Sequence, residues 1–177
     1  MKQILVLGAG KSSGVLIQWL LDNAEANAWK VQVADAASSA AQKAIGNSIY
    51  GEAKAIDTNS QGELAALIAS CDLVISTLPP ALHPMIAEHC IASKKHLLTP
   101  SYVSDKMFAF DEQAQLSGLT FLNEMGLDPG IDHMSACQML DEIKSKGGVI
   151  KSFYTLQSIH INIAQRIAIG VSFKSLT

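Results

Sequence analysis

Three features are scarce in this chain: cysteine, clustered positive charge and long apolar sequence. Its three cysteines, Cys71, Cys90 and Cys137, are odd in number and far apart, which excludes a disulfide framework and a paired-cysteine metal site. We expect them to be buried thiols, and we predict no metal site. The chain has no run of basic residues and a formal net charge of −3, which disfavours binding to nucleic acid.

Apolar segments are short as well. Polar residues interrupt each of them before the roughly 20 residues that a membrane helix needs. Near the amino terminus, the apolar run at 4–7 is too short for the core of a signal peptide. We therefore expect a cytoplasmic protein that makes no contact with a membrane.

What the 177 residues do contain is enough apolar sequence for a folded core, with 49% hydrophobic and 16% charged residues. Strand patterns alternate with helix patterns along the chain. The predicted strands are 4–7, 31–34, 53–56, 72–76, 96–98 and 120–122. The predicted helices are 15–21, 38–45, 61–69, 85–92 and 104–116. This alternation indicates an α/β fold, a doubly wound parallel sheet covered by helices on both faces.

A glycine-rich turn, Gly8-Ala9-Gly10-Lys11-Ser12-Ser13-Gly14, lies between the first predicted strand and the first predicted helix. Amides at a helix N-terminus attract phosphate, and glycines let a diphosphate approach the backbone. The hydroxyls of Ser12 and Ser13 can also donate to phosphate. The predicted cofactor contacts in this turn are Gly8, Gly10, Lys11, Ser12 and Ser13. A P-loop is excluded, because Leu5 stands where its first glycine is required.

An acidic residue, Asp35, closes the second predicted strand, 25 residues after Gly10. A carboxylate in this place accepts hydrogen bonds from the adenosine ribose and repels a 2′-phosphate. This predicts NAD as the cofactor rather than NADP. The alternative is an exposed acid at a strand end, or a cap for the helix at 38–45.

The fourth predicted strand ends at the same edge of the sheet, where ligands of doubly wound folds bind. We expect further cofactor contacts from Ser76, Thr77, Leu78 and Pro79. The alternative is a strand that a proline ends and that makes no such contact. His83 and His89 lack the four-residue spacing that pairs metal ligands on a helix, so we interpret both as structural.

These patterns predict a Rossmann-like dinucleotide-binding domain over 1–127. The rhythm then changes, because a turn signal at 128–130 precedes a longer amphipathic helix over 131–146. The apolar stripe of that helix is Met134, Cys137, Leu140 and Ile143. Alternating apolar residues at 159–163 and 167–173 predict strands, so we assign 128–177 to the start of a substrate or dimerisation domain.

Three segments together resemble the saccharopine dehydrogenase family, also called saccharopine reductase. They are 4–10, 99–104 and, most specifically, Asn123-Glu124-Met125-Gly126-Leu127-Asp128-Pro129-Gly130-Ile131-Asp132-His133-Met134. The resemblance covers about residues 1–153. It implies an oxidoreductase of lysine metabolism that uses a nicotinamide cofactor and acts on the CH–NH group of a secondary amine. Saccharopine is cleaved to glutamate and aminoadipic semialdehyde, or formed in the reverse reaction.

By this resemblance, Ser101, Tyr102 and Asp128 are substrate-binding residues. Asp128 is the candidate catalytic residue for binding the cationic amine or transferring its proton, and Tyr102 is the candidate for orienting the substrate. Read without the family, Asp128 belongs to a turn signal, and Asp132 is a candidate cap for the next helix.

The resemblance ends after Phe153, and the tail beyond it carries few basic residues for a substrate with several carboxylates. We therefore expect a truncated member that binds the cofactor and turns over saccharopine poorly or not at all. Alternatives are a nucleotide-sensing regulatory module and a carboxynorspermidine-type dehydrogenase. Expected partners are a small amino-acid substrate and a second copy of the chain, because unpaired strand edges favour self-association.

Overall fold

The computed structural model describes residues 1–156 and 168–171. The chain divides into two compact units, Met1–Met125 and Gly126–Thr177. The strand predicted at 159–163 lies outside the described residues.

The first unit is built on a parallel sheet of six strands. They are β1 (Lys2–Leu7), β2 (Trp29–Asp35), β3 (Gly51–Ala55), β4 (Leu73–Ser76), β5 (His96–Leu98) and β6 (Phe121–Leu122). The spatial order is β3-β2-β1-β4-β5-β6, and every neighbouring pair is parallel. The order reverses between β1 and β4, which confirms the predicted doubly wound α/β fold.

Six helices connect these strands, and their positions agree closely with the predicted pattern. They are α1 (Gly14–Asp22), α2 (Ser38–Ile45), α3 (Gln61–Ala69), α4 (His83–Ser93), α5 (Asp105–Phe108) and α6 (Asp111–Leu116), with a 3₁₀ turn at Pro80–Leu82. The second unit contains α7 (Ile131–Ser145) and an antiparallel pair, β7 (Phe153–Leu156) and β8 (Ala168–Val171). Across the described residues, no helix combines the length and the apolar character needed to span a bilayer.

The sheet is buried on both faces, which explains the uninterrupted apolar sequence of β1. Ile4 and Val6 pack with α1 and α2 on one face, whereas Leu5 and Leu7 pack with α3, α4 and α5 on the other. Successive side chains of a strand point to opposite faces, so a strand covered on both sides needs apolar residues at every position. Burial on both faces fixes β1 at the centre of the unit.

The prediction of one helix over 104–116 was wrong, because the segment folds as two helices. The Phe110 amide donates to the Met107 carbonyl at 3.2 Å, three residues back, so the α-helical pattern is interrupted. This turn lets buried Met107 and partly buried Phe110 reach the same core cluster. Asp111 and Glu112 then begin α6, where the helix dipole favours acidic side chains.

The expected burial of the cysteines holds at two of the three positions. Cys71 and Cys90 are buried, and burial raises the pKa of the Cys71 thiol to about 11 and that of Cys90 to about 12. Cys137 is exposed, so the prediction was wrong there. It lies on α7, whose only buried residue among those described is Ala136, and the predicted apolar stripe of that helix is largely accessible.

Truncating one side chain in each of two helices tests the assignment of the core. Leu64 of α3 is fully buried, whereas Leu116 of α6 is 83% exposed. Leu64→Ala leaves a cavity, so we expect it to lower the free energy of unfolding by about 2 to 5 kcal/mol. Leu116→Ala is the matched control, with an expected change within about 0.5 kcal/mol. Urea denaturation followed by circular dichroism measures both, and similar losses in the two variants would contradict this assignment.

Candidate functional site

The glycine turn is held against the end of β4 by close backbone contacts. Gly8 has φ +99°, and a Cβ atom there would lie 2.8 Å from Thr77 Oγ1. The Gly8 amide donates to the Ala34 carbonyl, and the Thr77 amide donates to the Leu7 carbonyl, both at 2.8 Å. The conformation and the close approach both require glycine at position 8.

The next part of the turn is open. A Cβ atom on Gly10 would meet no atom within 4 Å in the described part of the chain. Helix α1 begins just beyond, and neither a side-chain cap on its amides nor an acidic residue in its first turn is found among the described residues. The amides of a first helical turn have no partner within the helix. The turn therefore offers space and unneutralised N–H donors to an anion.

The side chains of this turn divide between structure and solvent. The Ser13 side chain is buried, and its hydroxyl donates to the Gly10 carbonyl at 2.9 Å. The hydroxyl hydrogen of Ser13 is thus donated within the turn, whereas we expected this hydroxyl to donate to a phosphate. Lys11 and Ser12 are exposed at the open side of the turn.

Asp35 joins two loops through its carboxylate. One oxygen accepts the Ala9 amide at 2.8 Å, and the other accepts the Ala37 amide at 2.9 Å. The carboxylate thereby ties the glycine turn to the segment that leads into α2. This use of both oxygens is a structural one, which the sequence interpretation of Asp35 as a ribose ligand did not include.

A cavity of about 530 Å³ opens at the carboxyl ends of β2, β3 and β4. Asp35 and Asp57 lie at its polar side, and Ile56, Leu78 and Leu82 provide apolar wall. Mixed lining of this kind suits a purine with its sugar. A second cavity, of about 610 Å³, lies at the opposite edge of the sheet. Ligands of open α/β sheets bind at the carboxyl edge, so the first cavity belongs to the candidate site.

A buried histidine connects the ends of β4 and β5. His83 Nδ1 lies 3.1 Å from Ser76 Oγ, and its Nε2 lies 3.0 Å from Ser101 Oγ. Ser76 is fully buried and His83 nearly so, and burial lowers the pKa of His83 below its ordinary value of 6.5. The sequence interpretation of His83 as structural missed this link between two predicted site residues. A histidine seven residues after a strand-end serine was the available signal.

The loop after β5 is fixed by residues of the segment that the sequence marked as unusual. Thr99 Oγ1 donates to Asn123 Oδ1 at 3.1 Å, and the Val103 amide donates to Glu124 Oε1 at 3.2 Å. The Glu124 amide donates to the Ser101 carbonyl at 3.1 Å. Tyr102, on this clamped loop, is 61% exposed.

In the second unit, Asp128 lies in a tightly closed turn before α7. A Cβ atom on Gly130 would clash with the Gly126 carbonyl oxygen, so the closure requires glycine. Asp128 is exposed, whereas Asp132 Oδ1 accepts the amides of Gly130 and His133 at 3.1 Å and 2.7 Å. Gly130 is the N-cap residue of α7, and Asp132 lies in the first turn of the helix, where its carboxylate accepts these two amides. Asp128, Asp132 and His133 place possible ligand atoms within 4.8 Å of one another, but exposed acidic groups cluster in this way without a metal.

The fold and the glycine turn define a class, the Rossmann-like dinucleotide-binding domains. The saccharopine dehydrogenase NADP binding domain family matches residues 4–122. The chain belongs to the saccharopine dehydrogenase family.

Known relatives are considerably longer than this chain. Saccharopine dehydrogenase [NADP(+), L-glutamate-forming] of Pyricularia oryzae is 38% identical over 152 residues, which are 86% of this chain and 33% of the relative. Alpha-aminoadipic semialdehyde synthase of Arabidopsis thaliana is 44% identical over 102 residues, 58% of this chain and 10% of the relative. The solved saccharopine dehydrogenase (L-Glu forming) of Saccharomyces cerevisiae has a TM-score of 0.77 and 32% identity, covering 90% of this chain and 36% of that one. The chain thus spans about a third or less of their length.

The prediction of NAD as the main cofactor was wrong. The matching family domain is an NADP binding domain, and the relative from Pyricularia oryzae is named for NADP(+). The prediction depended on Asp35 presenting a carboxylate to the ribose. In the structure, both of its oxygens accept backbone amides. An acid at the end of β2 is therefore not sufficient to identify NAD.

Two glycine substitutions test separately the backbone conformation of the turn at Gly8 and the open space beside Gly10. We expect Gly8→Ala to destabilise the protein and to abolish NADPH binding, because the added methyl group meets Thr77 and the positive φ is strained. Gly10→Ala should leave the thermal midpoint within a few degrees of wild type and still weaken NADPH by about tenfold or more, because the methyl group enters space needed by the ligand. Thermal denaturation and isothermal titration measure the two effects. Unchanged NADPH affinity in Gly10→Ala would contradict the assignment of this space.

The buried His83 predicts a pH dependence of stability. The unfolded chain binds a proton near pH 6.5, whereas the folded state does so only at lower pH. The free energy of unfolding should therefore be highest above pH 6.5 and fall as the pH decreases toward the folded-state pKa, by at most about 1.4 kcal/mol per pH unit. Urea denaturation at a series of pH values should show a shallower decline in His83→Gln. His89→Gln, on the same helix, should retain the decline of wild type, and an equal decline in all three proteins would contradict the prediction.

Proposed function

We propose that this chain is the cofactor-binding part of an NADP-dependent oxidoreductase of lysine metabolism that acts on the CH–NH group of saccharopine. The products are glutamate and aminoadipic semialdehyde, and the reverse reaction is the reductive condensation. The observation that carries the proposal is the open glycine turn at the uncapped start of α1, in a chain that matches the family's NADP binding domain.

The residues of the turn fit a dinucleotide. The space beside Gly10 receives the diphosphate, and the first-turn amides of α1 donate to it. Ser12 and Lys11 are exposed beside the same space, where a hydroxyl and an ammonium group add hydrogen bonds and positive charge. Thr77 holds the turn in place from β4, and the cavity walled by Leu78 receives the adenosine half. When bound, the nicotinamide accepts or supplies the hydride.

Three residues serve the substrate in this proposal. Ser101 and Tyr102 follow β5 on the loop clamped by Glu124, which limits their motion and so favours a defined binding geometry. Asp128 is exposed and carries negative charge, which suits the cationic secondary amine of the substrate or the transfer of its proton. Tyr102 contributes a phenolic hydroxyl that can orient a carboxylate. The chain also pairs with a second copy of itself in this proposal.

Titration and kinetics together test the proposed function. We expect isothermal titration of the full 177-residue chain to give tighter binding of NADPH than of NADH. NADP⁺ reduction, followed by nicotinamide absorbance, should depend on added saccharopine. Asp128→Asn should reduce that rate by about 100-fold or more, because a neutral amide can neither accept the proton nor balance the amine's charge.

The control is Asp141→Asn, another exposed aspartate of the second unit, which should retain the wild-type rate. Absence of NADPH binding would contradict the proposed function altogether. NADPH binding with no saccharopine-dependent reduction would contradict the catalytic part of it and favour a nucleotide-sensing module.

A further inference from the structure

The second cavity of the first unit lies at the amino ends of the strands, on the opposite edge of the sheet from the glycine turn. Its volume of about 610 Å³ is that of an ordinary small-molecule site. We call it the amino-edge cavity. It takes one residue from the start of each of five strands: Lys2 of β1, Trp29 of β2, Leu73 of β4, His96 of β5 and Thr120 just before β6.

The floor of the amino-edge cavity is apolar. Ile4 is buried, and Trp29, Leu73 and Leu98 are partly buried against the same core cluster. The Trp29 indole N–H donates to the Leu20 carbonyl at 2.8 Å, so its polar atom is satisfied within the protein. The ring of Trp29 therefore offers an apolar surface on which an aromatic group can pack.

The rim of the cavity carries an excess of positive charge. Its lysines are Lys2, Lys94 and Lys95, whereas Asp72 is the one acidic residue among the described residues that line it. Asp72 is already engaged, because its carboxylate contacts Lys2 Nζ at 3.2 Å and accepts the Gln3 amide at 2.7 Å. Neither Lys94 nor Lys95 forms an ion pair within the part of the chain that the structure describes. Two ammonium groups are thus left beside an apolar floor.

His96 adds a hydrogen-bond donor to this rim. Its Nδ1 accepts the Thr120 amide at 3.0 Å, so the neutral ring carries its proton on Nε2. The His96 side chain is exposed and lines the cavity. The rim therefore combines an N–H donor with two ammonium groups, and such a set of donors favours an anionic ligand.

The backbone holds Lys94 at this rim in an unusual conformation. Lys94 follows α4 with φ 54° and ψ 54°, the left-handed region that favours glycine at the end of a helix. The Lys94 amide donates to the Ile91 carbonyl at 3.1 Å, and the Lys95 amide donates to the Cys90 carbonyl at 2.8 Å, so this conformation closes the helix. Stability alone favours glycine at position 94, and Lys95 already supplies a cation to the helix end. A lysine at position 94 therefore fits a use of its ammonium group.

We propose that the amino-edge cavity is a second ligand site, which binds a small molecule made of an aromatic ring system and an anionic group. The ring system packs on the apolar floor beside Trp29. The anionic group is held by Lys94, Lys95 and the Nε2–H group of His96. This inference goes beyond the proposed function and does not rest on it, because the site lies at the other edge of the sheet from the dinucleotide site.

Two fluorescent dyes of nearly the same shape test the site. 8-Anilinonaphthalene-1-sulfonate carries an anionic group, and N-phenyl-1-naphthylamine is the same ring system without it. We expect the sulfonate dye to bind the full 177-residue chain more tightly than the neutral dye, and NADPH should not displace it. Added salt should weaken the sulfonate dye more than the neutral dye, because it screens the lysine charges. Equal affinity for the two dyes, or displacement of the sulfonate dye by NADPH, would overturn the proposal.

Lys94→Gly separates the ligand contact from the stability of the fold. Glycine adopts the left-handed conformation without strain, so the thermal midpoint should stay at or above that of wild type. The affinity for the sulfonate dye should fall by about 3- to 10-fold, because one ammonium group is lost, with no change for the neutral dye or for NADPH. Lys94→Arg should keep the sulfonate affinity. Lys43→Ala, which removes an exposed lysine of α2, is the control and should bind both dyes as wild type does.

Substitution of Thr120 tests the location without changing a lysine. Thr120 is exposed and lines the cavity, and its contact with His96 is made by the backbone amide. Thr120→Glu should weaken the sulfonate dye by about tenfold, because a carboxylate repels it, whereas Thr120→Gln is the neutral control of nearly equal size and should have little effect. Wild-type sulfonate affinity in Lys94→Gly or in Thr120→Glu would overturn the proposal. Equal loss of both dyes in Lys94→Gly would overturn it too, since the ammonium group would then have no specific use.

Discussion

The close approach of Gly8 to Thr77 is the contact on which the site depends. It brings the ends of β1 and β4 together at the point where strand order reverses, and the Gly8 amide adds β2 through Ala34. A side chain at position 8 would separate these strand ends. The opening of α1, the carboxylate of Asp35 and the cavity beside Leu78 are all positioned relative to this junction. The local conformational freedom of one residue thus sets the geometry of a surface assembled from several distant segments.

Sequence alone predicted most of the first unit, because its elements have strong local patterns and the sheet buries both faces. Helix α2 and strand β5 have the predicted bounds, and the parallel pairing of the strands follows from the alternation of strands and helices. The break before α6 was not predictable in this way. Its cause is tertiary, since both Met107 and Phe110 reach one core cluster. Strand β7 was also missed, because its four residues are too few for a clear period.

The position of the glycine turn in the candidate site was predictable from the sequence, but the contacts that its neighbouring side chains make were not. Glycine spacing located the turn correctly, since a position with positive φ and no room for a side chain requires glycine in the sequence. The hydrogen-bond partner of a side chain is harder to predict from the sequence, because one polar group can bind several kinds of partner. The Asp35 carboxylate can accept hydrogen bonds from a ribose or from backbone amides, and here it accepts two amides. The Ser13 hydroxyl can donate to a phosphate or to a carbonyl, and here it donates to the Gly10 carbonyl. The cofactor prediction failed at this step, since an acid at the end of β2 does not by itself identify NAD.

The same reasoning explains why His83 has a use that its spacing does not suggest. A histidine that is nearly fully buried must satisfy two ring nitrogens, and the ends of two parallel strands supply one hydroxyl for each. The two serines differ in burial, because Ser76 is fully buried whereas Ser101 is only partly buried. The buried imidazole thereby joins the ends of β4 and β5, because each of its nitrogens has a hydroxyl partner at one of these strand ends.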